Sequence, residues 1–217
     1  MSSAMIDLVL KATLDTLYMV GVSGVISALV GIPLGVMLYV TRPQQILATP
    51  TLNWTLGAVT NIGRSIPFII LMVAIIPFTR MLVGSSIGTN AAAVPLTIAA
   101  IPFVARLVEG ALNEIPPGLL EAAQSMGATP WQIITRVLIP EARGGIFTAL
   151  TVTAVTLVSY SAMAGAVGGG GLGDLGIRYG YNRFNPTIML ITVVILVVMV
   201  QGFQSLGDYL VRKSDHK

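Results

Sequence analysis

Charged residues in this chain are spaced so that long neutral windows run between them: Thr16 to Thr41, Met81 to Ala105, Gly144 to Gly173 and Phe184 to Gly207. Each can hold a helix of about 20 residues, the length a bilayer core requires. A further neutral stretch, Ser65 to Thr79, has only 15 residues. At about 1.5 Å per residue it falls short of a hydrocarbon core roughly 30 Å thick. It must therefore extend backwards through Arg64, and we place that helix at about Leu56 to Phe78. The pattern predicts an all-α membrane protein with five transmembrane helices, at about 16–40, 56–78, 87–110, 144–167 and 186–207. The membrane domain covers 13–207 and a cytoplasmic tail covers 208–217.

An odd number of spans puts the two termini on opposite sides of the membrane, and the basic residues choose which. With the C-terminus inside, the cytoplasmic side holds Arg42, Arg64, Arg106, Arg136, Arg143, Arg212, Lys213 and Lys217, against Lys11, Arg80, Arg178 and Arg183 outside. That asymmetry follows the positive-inside bias. The first window is longer than a signal-peptide core and lacks a basic start, so it is expected to remain as a span.

Composition sharpens this picture. Of 217 residues, 54% are hydrophobic and 10% charged, with mean hydropathy +0.85, whereas soluble domains carry about 25% charged residues. The pI near 9.4 reflects orientation, because no basic cluster with interleaved aromatics accompanies it, and nucleic acid is not an expected partner. Cysteine is absent and the one histidine, His216, sits in the tail. No metal site, cofactor or catalytic residue is expected. An intramembrane hydrolase would need a nucleophile with a histidine or a carboxylate pair in the bilayer. An ion-coupled carrier would need an intramembrane carboxylate, and no acidic residue lies inside a neutral window.

Within the first span, Ser23, Ser27, Gly31 and Gly35 recur every four residues. They form a face stripped of bulk on which another backbone can pack. Pro33 in the same helix is a candidate kink. Five spans without a visible internal repeat point to a translocation path completed by a second copy, hence a homodimer.

One polar insertion, Arg106 to Arg143, separates the third and fourth spans and contains every glutamate: Glu109, Glu114, Glu121 and Glu141. Pro116 and Pro117 open a short helix with an apolar side of Leu119, Leu120, Ala123 and Met126, which Gly127 is placed to end. Thr129, Pro130 and Gln132 read as the capped start of a second helix, with Trp131, Ile134 and Val137 on one face before Pro140.

The spacing Glu121-Ala122-Ala123, three residues, Gly127, nine residues, then Val137-Leu138-Ile139-Pro140 resembles the cytoplasmic signature loop of ABC-importer permeases, with conservative changes in the terminal I-x-L-P. The strings Arg64 to Phe68, Gly127 to Gln132 and Ser159 to Gly173 resemble the methionine-import members of that family. The resemblance implies a type I permease in the bacterial inner membrane that is not itself an enzyme. It implies that the loop at about 111–143 couples to two copies of an ATP-binding cassette ATPase through Leu119, Leu120, Glu121, Ala122, Ala123, Met126, Gly127 and Pro140. It also implies a second permease copy and an external methionine-binding lipoprotein. A permease for another amino acid or small solute is the alternative.

Glu121 is expected at the start of the coupling helix, where the dipole favours a carboxylate. Ser159, Ser161 and Met163 on the fourth span are candidates for the translocation path. Arg64 is expected to snorkel to the interface. Gly168, Gly170 and Gly173, and equally Gly171, Gly173 and Gly176, match G-x-G-x-x-G. A dinucleotide site needs a soluble strand-turn-helix context, so these glycines are expected to form a flexible external loop.

Overall fold

The protein, as a computed structural model, is described for residues 3–214. His216 and Lys217 of the expected tail lie outside the described residues. Among the described residues there is no strand. The helices are α1 (Ser3–Val40), α2 (Pro50–Ser65), α3 (Phe68–Ala74), α4 (Ile76–Val83), α5 (Thr89–Asn113), α6 (Pro117–Ser125), α7 (Pro130–Ile133), α8 (Ile139–Glu141), α9 (Arg143–Gly165), α10 (Gly171–Leu175) and α11 (Pro186–Ser214). Two π-helical turns intervene, Ile134–Leu138 and Gly176–Tyr181.

The small-residue face of α1 packs on α5. A methyl group added at Gly31 would lie 2.7 Å from Val104 Cβ, and one at Gly35 would lie 2.6 Å from the Ala105 carbonyl oxygen. Ser23 in the same row donates to the Ala93 carbonyl at 3.1 Å. Only hydrogen or a short hydroxyl fits, so the two backbones approach closely and gain dispersion contact along their length. The α1 helix runs through Pro33 without interruption.

Three buried clusters order the bundle from end to end. At one end, Val9 and Ala12 of α1 meet Leu172, Leu175 and Ile188. In the middle, Met19, Leu96, Leu157 and Phe68 pack together. At the other end, Tyr39, Val108 and Leu112 meet Leu120 and Ala123 of α6, together with Ile133, Leu138 and Ile146. Helices α1, α5 and α11 therefore run from the glycine-rich end towards the α6 end, and α9 runs back.

The second predicted span is not one continuous helix. The helix begins earlier, at Pro50, and ends at Ser65, and α2 and α3 are bent by 99° at the break. Pro67 explains the site: it has no N–H to give the preceding turn, and its ring excludes Ile66 from helical geometry. Ile66 is accordingly extended, with φ −83° and ψ 122°. Arg64 is exposed in the last turn of α2, just before the bend. By length and composition four helices can cross a membrane, and a fifth crossing arises if the bent pair is one span.

The outer faces of these helices are apolar. Leu14, Leu29, Leu190 and Val198 are each 65–70% exposed, an arrangement that suits hydrocarbon or a second apolar surface and that water would penalise.

The glycine-rich segment is packed, contrary to the expectation of a flexible loop. Gly173 lies so close to Ala162 that a Cβ would fall 2.2 Å from its carbonyl oxygen, and Gly165 meets the Asp174 backbone at the same separation. The Leu172 amide donates to Thr16 Oγ1 at 2.9 Å. These glycines let α10 fold back against α9 and α1, a close approach that any side chain would prevent.

Candidate coupling surface and transport path

Helix α6 begins with Pro117 in its first turn, where the missing N–H costs nothing. It ends through a pair of bonds that the signature spacing makes possible. The Gly127 amide donates to the Gln124 carbonyl at 2.9 Å, and the Ala128 amide donates to the Ala123 carbonyl at 3.1 Å. This is the Schellman arrangement, in which the residue after the helix takes a left-handed backbone. Gly127 has φ +77°. The four-residue interval from Ala123 to Gly127 thus separates the carbonyl that is capped from the residue that turns.

The chain leaves that turn directly into a second cap. Thr129 Oγ1 accepts from the Gln132 amide at 3.4 Å, while Gln132 Oε1 accepts from the Thr129 amide at 2.9 Å. This is the predicted reciprocal capping box. The π-helical turn Ile134–Leu138 follows, and the Ile139 amide donates to the Ile134 carbonyl. Pro140 accounts for the irregularity, because it cannot donate to the Arg136 carbonyl and its ring crowds that group.

The apolar residues of α6 divide between two faces. Leu120 (7% exposed) and Ala123 (4%) are rooted in the bundle, whereas Leu119 (40%) and Met126 (81%) point away from it. Leu119, Ala122 and Met126 fall at i, i+3 and i+7, one stripe of the helix, and Ala122 is also exposed. Trp131, five residues beyond Met126, is 72% exposed, while Ile134 and Val137 pack against the core. The three do not share one face as their spacing predicts: Trp131 points outward from the capped start of α7, and Ile134 and Val137 point inward.

Glu121 is exposed and forms no ion pair among the described residues. It lies in the second turn of α6, with no acidic residue in the first turn. The expected dipole interaction is therefore absent, and the carboxylate lies exposed on the surface of α6. The terminal motif behaves differently. Leu138 is fully buried, Val137 and Ile139 pack beside it, and Pro140 is half-buried. One half of the signature thus presents a surface and the other half anchors it.

The path candidates separate in the same way. Ser161 is 1% exposed and donates to its own helix at the Val158 carbonyl, 2.7 Å away. Ser159 and Met163 are exposed and share a face at i, i+4. Met163 also borders a cavity of about 410 Å³, lined by Ile69, Leu172, Met189 and Thr192 among others.

A bundle of long apolar helices with a capped, amphipathic segment exposed at one end defines a multi-pass membrane protein. Residues 31–216 match the family described as the binding-protein-dependent transport system inner membrane component, and the chain belongs to that family. It is thus a multi-pass inner-membrane permease component, not the enzyme of such a system. A probable D-methionine transport system permease protein MetI from Vibrio cholerae is 63% identical over 211 residues, covering 97% of this chain and 94% of that one. The D-methionine transport system permease protein MetI of Escherichia coli strain K12 is 56% identical over 165 residues, 76% of each chain. A chain of the MetNI methionine ABC transporter, solved in inward-facing conformation, superposes with TM-score 0.98 at 54% identity over the full length of both. A histidine-bound amino acid ABC transporter shares the fold, with TM-score 0.79 at 21% identity, covering 97% of this chain and 95% of that one.

Proposed function

We propose that this chain is the membrane-spanning subunit of an ATP-driven importer for methionine. Two copies form the path, and α6 is the coupling helix on which a separate ATPase acts. The reading is carried by one observation: α6 presents Leu119, Ala122 and Met126 outward from a rigid double cap, with Trp131 beside them. A partner that seats on this stripe can push the whole anchored segment, because Leu120, Ala123 and Leu138 bind it to the bundle. Alternating access then follows from motion delivered to α5 and α9, which flank the segment. The substrate assignment rests on the similar permeases of methionine systems.

In this reading five spans cross the bilayer, with the bent α2–α3 pair as the second. The N-terminus is outside, the C-terminus is cytoplasmic, and the glycine-rich end faces an external methionine-binding lipoprotein. Ser159 and Met163 face the substrate route. Ser161, with its hydroxyl satisfied internally, supports the helix behind them.

The test is uptake by a strain deprived of its own methionine permease and supplied with this chain, the ATPase and binding protein of a similar methionine system being present. Growth on methionine as sole sulfur source, together with co-purification of the ATPase at two copies per two permeases, is the expected result. Uptake of a different amino acid would remove methionine from the assignment. Purification without any ATPase would remove the coupling reading.

A further inference from the structure

Glu109 sits on α5, eight residues before α6 begins, and is 3% exposed. Both of its oxygens are taken. Oε1 accepts from Arg42 Nε at 3.0 Å and Nη2 at 2.5 Å, and Oε2 accepts from Arg106 Nη1 at 2.6 Å. The two guanidinium groups reach outward in different directions. Arg42, just beyond the end of α1, donates to Asn113 Oδ1 at 2.5 Å. Arg106 donates to Asn61 Oδ1 at 2.8 Å and to the Gly57 carbonyl at 3.2 Å, both on α2. One carboxylate therefore ties the end of α1 to α5 and, through Arg106, ties α5 to α2.

That tie matters because α2 buries few side chains against the rest of its own chain. Thr60 is its one buried residue, and Trp54, Val59 and Ile62 are all more than 60% exposed. A polar cavity of about 330 Å³, bordered by Arg42, Asn53, Asn61, Arg106 and Glu109, occupies the place where apolar packing would otherwise join α2 to its neighbours. The other polar link there is Asn53 Nδ2, which donates to the Leu38 carbonyl at 2.7 Å and to Thr41 Oγ1 at 3.1 Å. Without the Glu109 carboxylate, two partly buried guanidinium groups would face one another unneutralised, a strongly unfavourable arrangement.

We propose that Glu109 is a positioning residue that makes α2, and the bent α2–α3 pair leading from it, move as one body with α5 and the coupling helix. The proposal rests on the reading of α6 as the coupling helix. Motion received at α6 enters α5 across the short link Glu114 to Pro116 and reaches α2 through the Arg106 guanidinium. An electrostatic tie suits this role, because a carboxylate shared by two guanidinium groups fixes the orientation of α2 against α5 where apolar side chains bury little between them.

The absence of native cysteine permits a direct test. Spin labels at V59C on α2 and Q124C on α6 would be placed in one permease copy of the full transporter in lipid nanodiscs. Their separation would be measured with and without trapped ATP, and methionine transported per ATP hydrolysed would be measured in parallel proteoliposomes. With Glu109 in place, one narrow distance distribution should persist in both states. In Glu109→Gln the distribution should broaden and shift with nucleotide, and the transport ratio should fall by about tenfold or more, with the ATPase still bound. Glu109→Asp, which keeps the charge, should recover most of the ratio. An unaltered distribution and ratio in Glu109→Gln would overturn the proposal, as would dissociation of the ATPase, which would show a merely structural role. Failure of a separate M126C variant, on the exposed stripe of α6, to cross-link to the ATPase when Glu109 is intact would overturn the coupling reading and this proposal with it.

Discussion

Gly127 is where the coupling segment depends on a single backbone angle. Its φ of +77° is open to glycine and costs other residues about 1 kcal/mol or more, most for β-branched side chains. An added Cβ would meet nothing within 4 Å, so the penalty within this chain is conformational and not steric. Gly127→Val should relieve the strain by leaving the left-handed region, which breaks the bonds to Gln124 and Ala123 and turns α7 away. Methionine uptake should fall several-fold while the amount of protein in the membrane stays level. Gly127→Asn should retain most uptake, because asparagine tolerates this conformation. Equal uptake by the valine variant would remove Gly127 from the coupling role. The same residue-scale logic separates the path candidates. Cysteine at Met163 should react with a thiol reagent in a nucleotide-dependent way and cysteine at Ser161 should not, because one side chain is 41% exposed and the other 1%. Reactivity at 161 alone would reverse the two.

At the scale of helices, the seam between α1 and α5 tests whether close approach holds the bundle together. A methyl at Gly35 would fall 2.6 Å from a backbone carbonyl oxygen, an atom that cannot yield without moving α5. Overpacking of this kind costs about 1–3 kcal/mol. Gly21, in the same helix, has open space where its Cβ would be. Gly35→Ala should therefore lower the melting temperature of the purified transporter by several degrees, while Gly21→Ala leaves it level or raises it. Equal melting temperatures would mean that the seam carries no weight. The seam itself was legible in the sequence, because four small residues at a spacing of four have one simple packing meaning. The caps at Gly127 and Thr129 were legible because their chemistry is local. The 99° bend was not foreseen. Hydropathy alone favours one long helix through Ile66 and Pro67, whereas the proline is the signal for a break. The glycine-rich segment was misjudged for the opposite reason: glycine permits both looseness and the tightest packing, and only the neighbours Ala162 and Thr16 decide between them. The Glu109 network joins residues 67 positions apart in the chain, a relation that no local pattern encodes.

For the molecule as a whole, the three ordered clusters fix the relative direction of the helices without reference to the membrane. Val9 at the start of α1 and Ile188 at the start of α11 share one cluster. Tyr39 at the end of α1 belongs to the cluster that holds α6, and Gly207 near the end of α11 packs on Thr151 in the first half of α9. The first and last described residues therefore lie at opposite ends of the bundle. The basic residues divide along the same axis. Arg42, Arg106, Arg136, Arg143, Arg212 and Lys213 sit towards the α6 end, and Lys11, Arg80, Arg178 and Arg183 sit towards the glycine-rich end. Arg64 belongs to neither group. It lies fourteen residues into α2, about 20 Å from the start of that helix at 1.5 Å per residue. Among the described residues that leaves six against four, so the positive-inside bias still favours a cytoplasmic α6 end. A fluorescent protein that folds only in the cytoplasm, fused after Lys217, should be bright. The same reporter inserted between Asn182 and Asn185, in the link between the second π-helical turn and α11, should be dark, whereas an export-dependent phosphatase should be active there and inactive at the C-terminus. A bright insertion between Asn182 and Asn185 would invert the bundle and place α6 outside, where no ATPase could reach it.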